Sequence, residues 1–108
     1  MIRHISIFFL KEGKDGKKDE NINRMVELLN EVEKKMPRLN DYMVGKNVAQ
    51  FLPEEVVNGP EFGDVVQIID FPNDEQAKAY VFQPVHEELQ QKSNDIVEKV
   101  VVFDLKCV

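Results

Sequence analysis

Apolar side chains fall on both parities of the first segment. From Ile2 to Leu10 one alternating set is Ile2, His4, Ser6, Phe8 and Leu10, and the other is Arg3, Ile5, Ile7 and Phe9. Successive side chains of a strand point to opposite faces, so this pattern predicts a strand that is apolar on both. Gly13 and Gly16, set among lysines, predict a loop after it. From Asp19 to Met36 the apolar positions Ile22, Met25, Val26, Leu29, Val32 and Met36 fit one stripe of a helix. Pro37 ends it. A shorter strand is expected over Asp41–Val48, with Tyr42, Val44 and a mid-strand Gly45, followed by a long loop over 49–63 that holds Pro53, Gly59, Pro60 and Gly63. Asp64–Phe71 is rich in β-branched residues and predicts a third strand. The last strand is expected over Val97–Leu105, with Val97, Val101 and Phe103 on one face, Val100 and Val102 on the other, and Lys99 interrupting the first.

Between the last two strands the pattern is helical but interrupted. Asn73, with Gln76 three places on, matches a capping box and marks a helix start. Pro84 cannot donate the helical hydrogen bond, and its ring crowds the turn before it, so the helix must break near Phe82-Gln83. It can restart with Pro84 in its first turn and run to about Ser93. Tyr80 and His86, six residues apart, then flank the break and can face a common pocket on the helix side of the sheet.

The order strand, helix, strand, strand, helix, strand is the split arrangement of ferredoxin-like α+β folds: a four-stranded antiparallel sheet with helices on one face. Two helices cover only one face. The other would leave Ile5, Ile7, Phe9 and their neighbours as a large exposed apolar patch, which soluble monomers rarely carry. A second copy packed on that face removes the patch, so the periodicity predicts a homodimer formed through the sheet.

The length of 108 residues fits one domain over 1–108. Twenty acidic against fourteen basic side chains give a net charge of −6, which argues against a nucleic-acid footprint. The one basic stretch, Lys11–Lys18, is interrupted by Glu12, Asp15 and two glycines and predicts a solvated loop. A single cysteine, Cys107, excludes an internal disulfide and suits a reducing compartment. No run approaches the roughly 18 apolar residues that span a bilayer, and Arg3 and His4 interrupt any signal-peptide pattern. The expectation is a cytoplasmic protein without membrane partners. Two histidines and scattered carboxylates lack zinc-site spacing, and the chain holds no phosphate-binding glycine loop or nucleophile elbow. No metal or cofactor is therefore expected.

Four short motifs in order carry a resemblance: Met-Ile-Arg-His-Ile-Ser-Ile-Phe-Phe-Leu-Lys at the start, Val44-Gly45, Asp64-Val-Val through Asp70-Phe71, and Ala79-Tyr80 through Pro84-Val85-His86. Together they resemble the stress-responsive dimeric α/β-barrel (Dabb) family from residue 1 to about 105. The resemblance implies ferredoxin-like protomers packed sheet to sheet into a dimeric barrel. Some members are plant stress proteins; others are polyketide cyclases that act without a cofactor in a pocket between sheet and helices. Carried across by motif, the cyclase histidine of the first strand falls on His4, the helix tyrosine on Tyr80 and the histidine after the proline on His86. The third-strand histidine is replaced here by Asp64 or its neighbour, and the position before the proline is Gln83.

His86 is the candidate general acid or base, because imidazole titrates near neutral pH. Tyr80 is the candidate donor to an enolate oxygen. His4 completes the set. Each also has a packing role open to it: a helix histidine bonded to the sheet, a core tyrosine, a core histidine. A purely structural or regulatory dimer with a filled interior is one reading, and two functions stand beside it. One is a small homodimeric protein of the stress-responsive type with a pocket for an apolar or aromatic small molecule. The other is a cofactor-independent enzyme, cyclase-like or monooxygenase-like, that uses His86 and Tyr80.

Overall fold

A computed structural model of the chain describes residues 1–36, 41–47 and 63–106. The elements run β1 (Ile2–Leu10), α1 (Asp19–Lys35), β2 (Asp41–Lys46), β3 (Val65–Phe71), α2 (Asp74–Val81), α3 (Pro84–Ser93) and β4 (Val97–Lys106). The four strands form one antiparallel sheet in the order β2-β3-β1-β4. This is the ferredoxin-like α+β arrangement the alternation predicts. Pro37, Val48 and most of the long loop expected after β2 lie outside the described residues.

The two parities of β1 divide as expected. Ser6, Phe8 and Leu10 face the helices and are buried, while Ile5, Ile7 and Phe9 stay half-buried on the opposite face. In β3, Val65, Gln67, Ile69 and Phe71 point to the helices. The core between sheet and helices gathers Leu10, Leu28, Leu29, Val65, Ile69, Phe71 and Tyr80, all 0–2 % exposed. Each aliphatic side chain removed from water in this way contributes about 1.5–3 kcal/mol. The stripe of α1 is wider than the spacing implied: Leu28 is buried beside Met25, Leu29 and Val32. α1 lies over β2 and β3 and against α3, and α2 lies over β1 and β3. β4 therefore remains an edge whose helix-side Val100 and Val102 are exposed.

One expectation about β4 is corrected. The register pairs Phe9 with Lys99 but Leu10 with Val97, a slip of one residue. The bulge turns Val97 to the helix side, where it packs on the core, while Val101 and Phe103 pair with Ile7 and Ile5 on the open face. Lys99 remains on the open face, its ammonium 4.7 Å from the centroid of the Phe9 ring. β3 starts at Val65 rather than Asp64, although Asp64 still bonds Phe8 and Asn47 through its backbone. Its carboxylate accepts from the Leu10 backbone N–H at 2.8 Å and from Lys18 at 3.3 Å.

Candidate functional site

The break in the second helical segment sets the geometry of Tyr80 and His86. Asn73 caps α2 by accepting from the Gln76 N–H at 2.9 Å. After Val81 the backbone N–H groups of Phe82 and Gln83 turn back to the carbonyls of Ala79 and Tyr80, each at 3.1 Å. Gln83 is extended, and Pro84 opens α3 in its first turn. The last turn of α2 thus directs Tyr80 into the core, and the first turn of α3 returns His86 above it. Their rings lie 5.0 Å apart, edge to face. His4, from β1, meets the same tyrosine at 5.7 Å, and Phe71 closes the group at 5.6 Å. Pairs of this kind contribute about 0.5–1.5 kcal/mol each beyond area burial.

A line of polar groups crosses the helix side of the sheet beside these rings. The Tyr42 hydroxyl donates to the Leu29 carbonyl and accepts from the Gln67 amide at 3.0 Å. Gln67 is buried directly opposite Ser6 in the register of β1 with β3. The Ser6 hydroxyl lies 3.0 Å from His4 Nε2, and His4 Nδ1 lies 2.6 Å from Asp104 Oδ1 on β4, opposite His4 in the register. With a carboxylate at Nδ1, the neutral ring keeps its proton there and presents Nε2 as the acceptor of the Ser6 hydroxyl.

Burial sets the protonation of the site. Desolvation raises the Tyr80 phenol above its ordinary range, and the neighbouring Gln67 amide offsets part of the rise. Gln67 nevertheless falls short of hydrogen-bond geometry, so the Tyr80 hydroxyl, in a residue 1 % exposed, has no partner among the described residues. The same desolvation raises Tyr42, again offset in part by Gln67. Desolvation lowers His86, and the neighbouring His4 lowers it further. Next to His4 opens a cleft of about 330 Å³ between α2 and the edge strand. Ile2, Ala77 and Val81 form its apolar wall, His4 and Asp104 lie together on its polar side, and Asp74, Lys78 and Lys106 complete the lining.

The three residues singled out from the sequence, His4, Tyr80 and His86, converge. Asp64, the counterpart considered for a third-strand histidine, does not join them. It sits at the Leu10 end of β1, six residues from His4 and so about 20 Å along the strand. Gln83 caps α3 by position only, without a side-chain hydrogen bond. The sequence reading missed Ser6, Gln67 and Asp104. The available signal was a polar residue at an inward position of an otherwise apolar strand, yet Asp104 joins His4 only through pairing across the chain. Among the described residues no group of three His, Cys, Asp or Glu could hold a metal ion, and no helix is long and apolar enough to cross a membrane.

The family model of the stress responsive A/B barrel domain matches residues 2–107. No curated protein matches the chain. Among solved structures, a dimeric ferredoxin-like protein of unknown function from Thermobifida fusca is similar at a TM-score of 0.73 and 18% identity, covering 98% of this chain and 90% of that one. An Arabidopsis thaliana protein is similar at a TM-score of 0.72 and 20% identity, over 100% of this chain and 96% of that one. The hydroxynitrile lyase of Passiflora edulis shares the fold at a TM-score of 0.71 and 14% identity, over 96% and 90%. At these identities the likeness is one of fold.

Proposed function

The chain belongs to the stress responsive A/B barrel domain family, and from that premise we propose that it acts as a homodimer with a small-molecule site between sheet and helices. The observation that carries the site is the convergence of Tyr80 and His86 with His4, which itself lines an open cleft with an apolar wall. Such a cleft suits an apolar or aromatic ligand carrying one or two polar oxygens. Support for the dimer comes from the open sheet face, where Met43, Phe103 and Leu105 are 45–64 % exposed beside Ile5 and Ile7. A dimeric relative such as the Thermobifida fusca protein has the same protomer fold.

A second reading, cofactor-independent acid–base catalysis, is favoured by one observation. Two imidazoles flank a buried phenol whose hydroxyl has no partner among the described residues. A His86 imidazole held neutral by burial can take a proton, and a neutral phenol can donate to a developing enolate oxygen. The shared fold of a hydroxynitrile lyase is consistent with chemistry on such a protomer.

A screen of keto and phenolic compounds by ligand-observed NMR tests both readings. Binding that disturbs the His4 and His86 ring signals supports the ligand site. Turnover that falls about 10²–10⁴-fold in folded His86→Ala supports the enzyme. Binding without turnover leaves the ligand-site reading alone, and a screen without binders overturns the site.

A further inference from the structure

We propose that Ser6, His4 and Asp104 form a second reactive unit in which Ser6 Oγ is an acyl acceptor toward small activated esters. The three groups stand in the order acyl transfer requires. The Ser6 hydroxyl is 3.0 Å from His4 Nε2, and Asp104 Oδ1 is 2.6 Å from His4 Nδ1. A carboxylate at one ring nitrogen fixes the tautomer and stabilises the imidazolium, which makes the other nitrogen a base toward the hydroxyl. The unit is built by register rather than by a sequence motif. Ser6 and His4 share one face of β1 two residues apart, and Asp104 is the residue of β4 opposite His4.

Two further observations complete the site. Tyr80 carries a buried hydroxyl with no partner among the described residues, and its ring is 5.7 Å from that of His4. It is the neutral donor on hand for an oxyanion. Ser6 itself is only 4 % exposed, but Val102, its neighbour across β4, is half exposed because the edge strand keeps an open helix side. The cleft borders His4 and Asp104 but not Ser6, so in this proposal an ester seated there reaches the Ser6 hydroxyl past the His4 ring. The space of about 330 Å³ is large enough for a short acyl ester.

In the step itself Ser6 Oγ bonds to the ester carbonyl carbon while its proton passes to His4 Nε2. The C–O bond to the alcohol then breaks, and the alcohol leaves with that proton. Water, deprotonated by the same imidazole, releases the acid and restores Ser6. Ester and water give acid and alcohol, with no other reactant.

The test uses p-nitrophenyl acetate and a fluorophosphonate on the unmodified chain. The expected result is one phosphonyl adduct per chain, with loss of fluoride, located on Ser6 by peptide mass spectrometry. Ester turnover should be abolished in Ser6→Ala. Asp104 acts through His4 as a positioning residue, so Asp104→Asn should lower the acylation rate at least tenfold and shift its pH profile, whereas Ser6→Cys should restore acylation. Ser6→Ala leaves Tyr80 and His86 in place, so ligand binding at the cleft is a separate readout and survives failure of this proposal. Adducts confined to lysine or tyrosine, or no adduct on a folded protein whose cleft binds ligand, overturn it.

Discussion

Tyr80 carries its hydroxyl into a core of Phe71, His4 and His86 without a hydrogen-bond partner among the described residues. Leaving a buried hydroxyl unpaired costs about 1–3 kcal/mol, so a protein selected for stability alone would hold phenylalanine there. Tyr80→Phe is therefore expected to leave the urea midpoint unchanged or raise the stability by up to about 1 kcal/mol, while weakening any ligand that accepts from the phenol. A marked loss of stability would show that the hydroxyl is bonded in the fold. His86 gives a pH signature. Burial, with the neighbouring His4, lowers its pKa in the folded state, so the folded protein binds fewer protons than the unfolded chain between the two values. The neutral form's contribution to stability is thus present above the unfolded value of about 6.5 and is lost as the pH falls through the folded one. An NMR titration should place the His86 midpoint below that of a histidine in the unfolded chain. Denaturation of His86→Gln should lose part of the acid-side decline in stability.

At the scale of elements, two local decisions hold the site in place, the Asn73 cap and the Pro84 restart, and Gly63 acts at the far end of the sheet. Removing the cap frees a backbone donor of the first turn, and Asn73→Ala is expected to cost about 1 kcal/mol in urea denaturation. Gly63 has φ +74, and a Cβ there would clash with Ile7 Cγ2. Gly63→Ala therefore combines left-handed backbone strain, about 1–2 kcal/mol, with displacement of a side chain on the open sheet face. Thermal unfolding should show a larger loss than at Gly45, where an added Cβ meets nothing within 4 Å. α1 and α3 are joined at the surface by Lys35–Glu88 at 2.9 Å and Glu31–Lys92 at 3.7 Å, and Lys92 also meets Glu88 within α3 at 2.7 Å. Hydrogen bonds from Lys92 and Lys35 hold the exposed Glu88 carboxyl down at about 2. Salt screens such pairs, so they orient the helices more than they hold them.

For the whole molecule, the sheet face without helices governs assembly. In the proposed homodimer Ile7 lies between Val66 of β3 and Val101 of β4 on that face. Ile7→Asp would bury an unpaired charge in the contact, and light scattering should then report monomer or aggregate in place of the dimer mass. A monodisperse monomer from the unmodified chain would overturn the dimer. Much of this was legible in sequence. The two-parity pattern of Ile2–Leu10 gave the strand, its two faces and the need to cover both, because strand periodicity is a local property of the backbone. Pro84 located the helix break within a residue or two for the same reason, since the missing N–H acts on its own turn. Tertiary structure alone decided the rest. The bulge that moves Val97 into the core, and the register that sets Asp104 beside His4 and Gln67 beside Ser6, depend on strands paired across up to 100 positions of chain. Local sequence carries the side-chain alternation of each strand, but the pairing is settled only when all four strands and the helices bury their faces together.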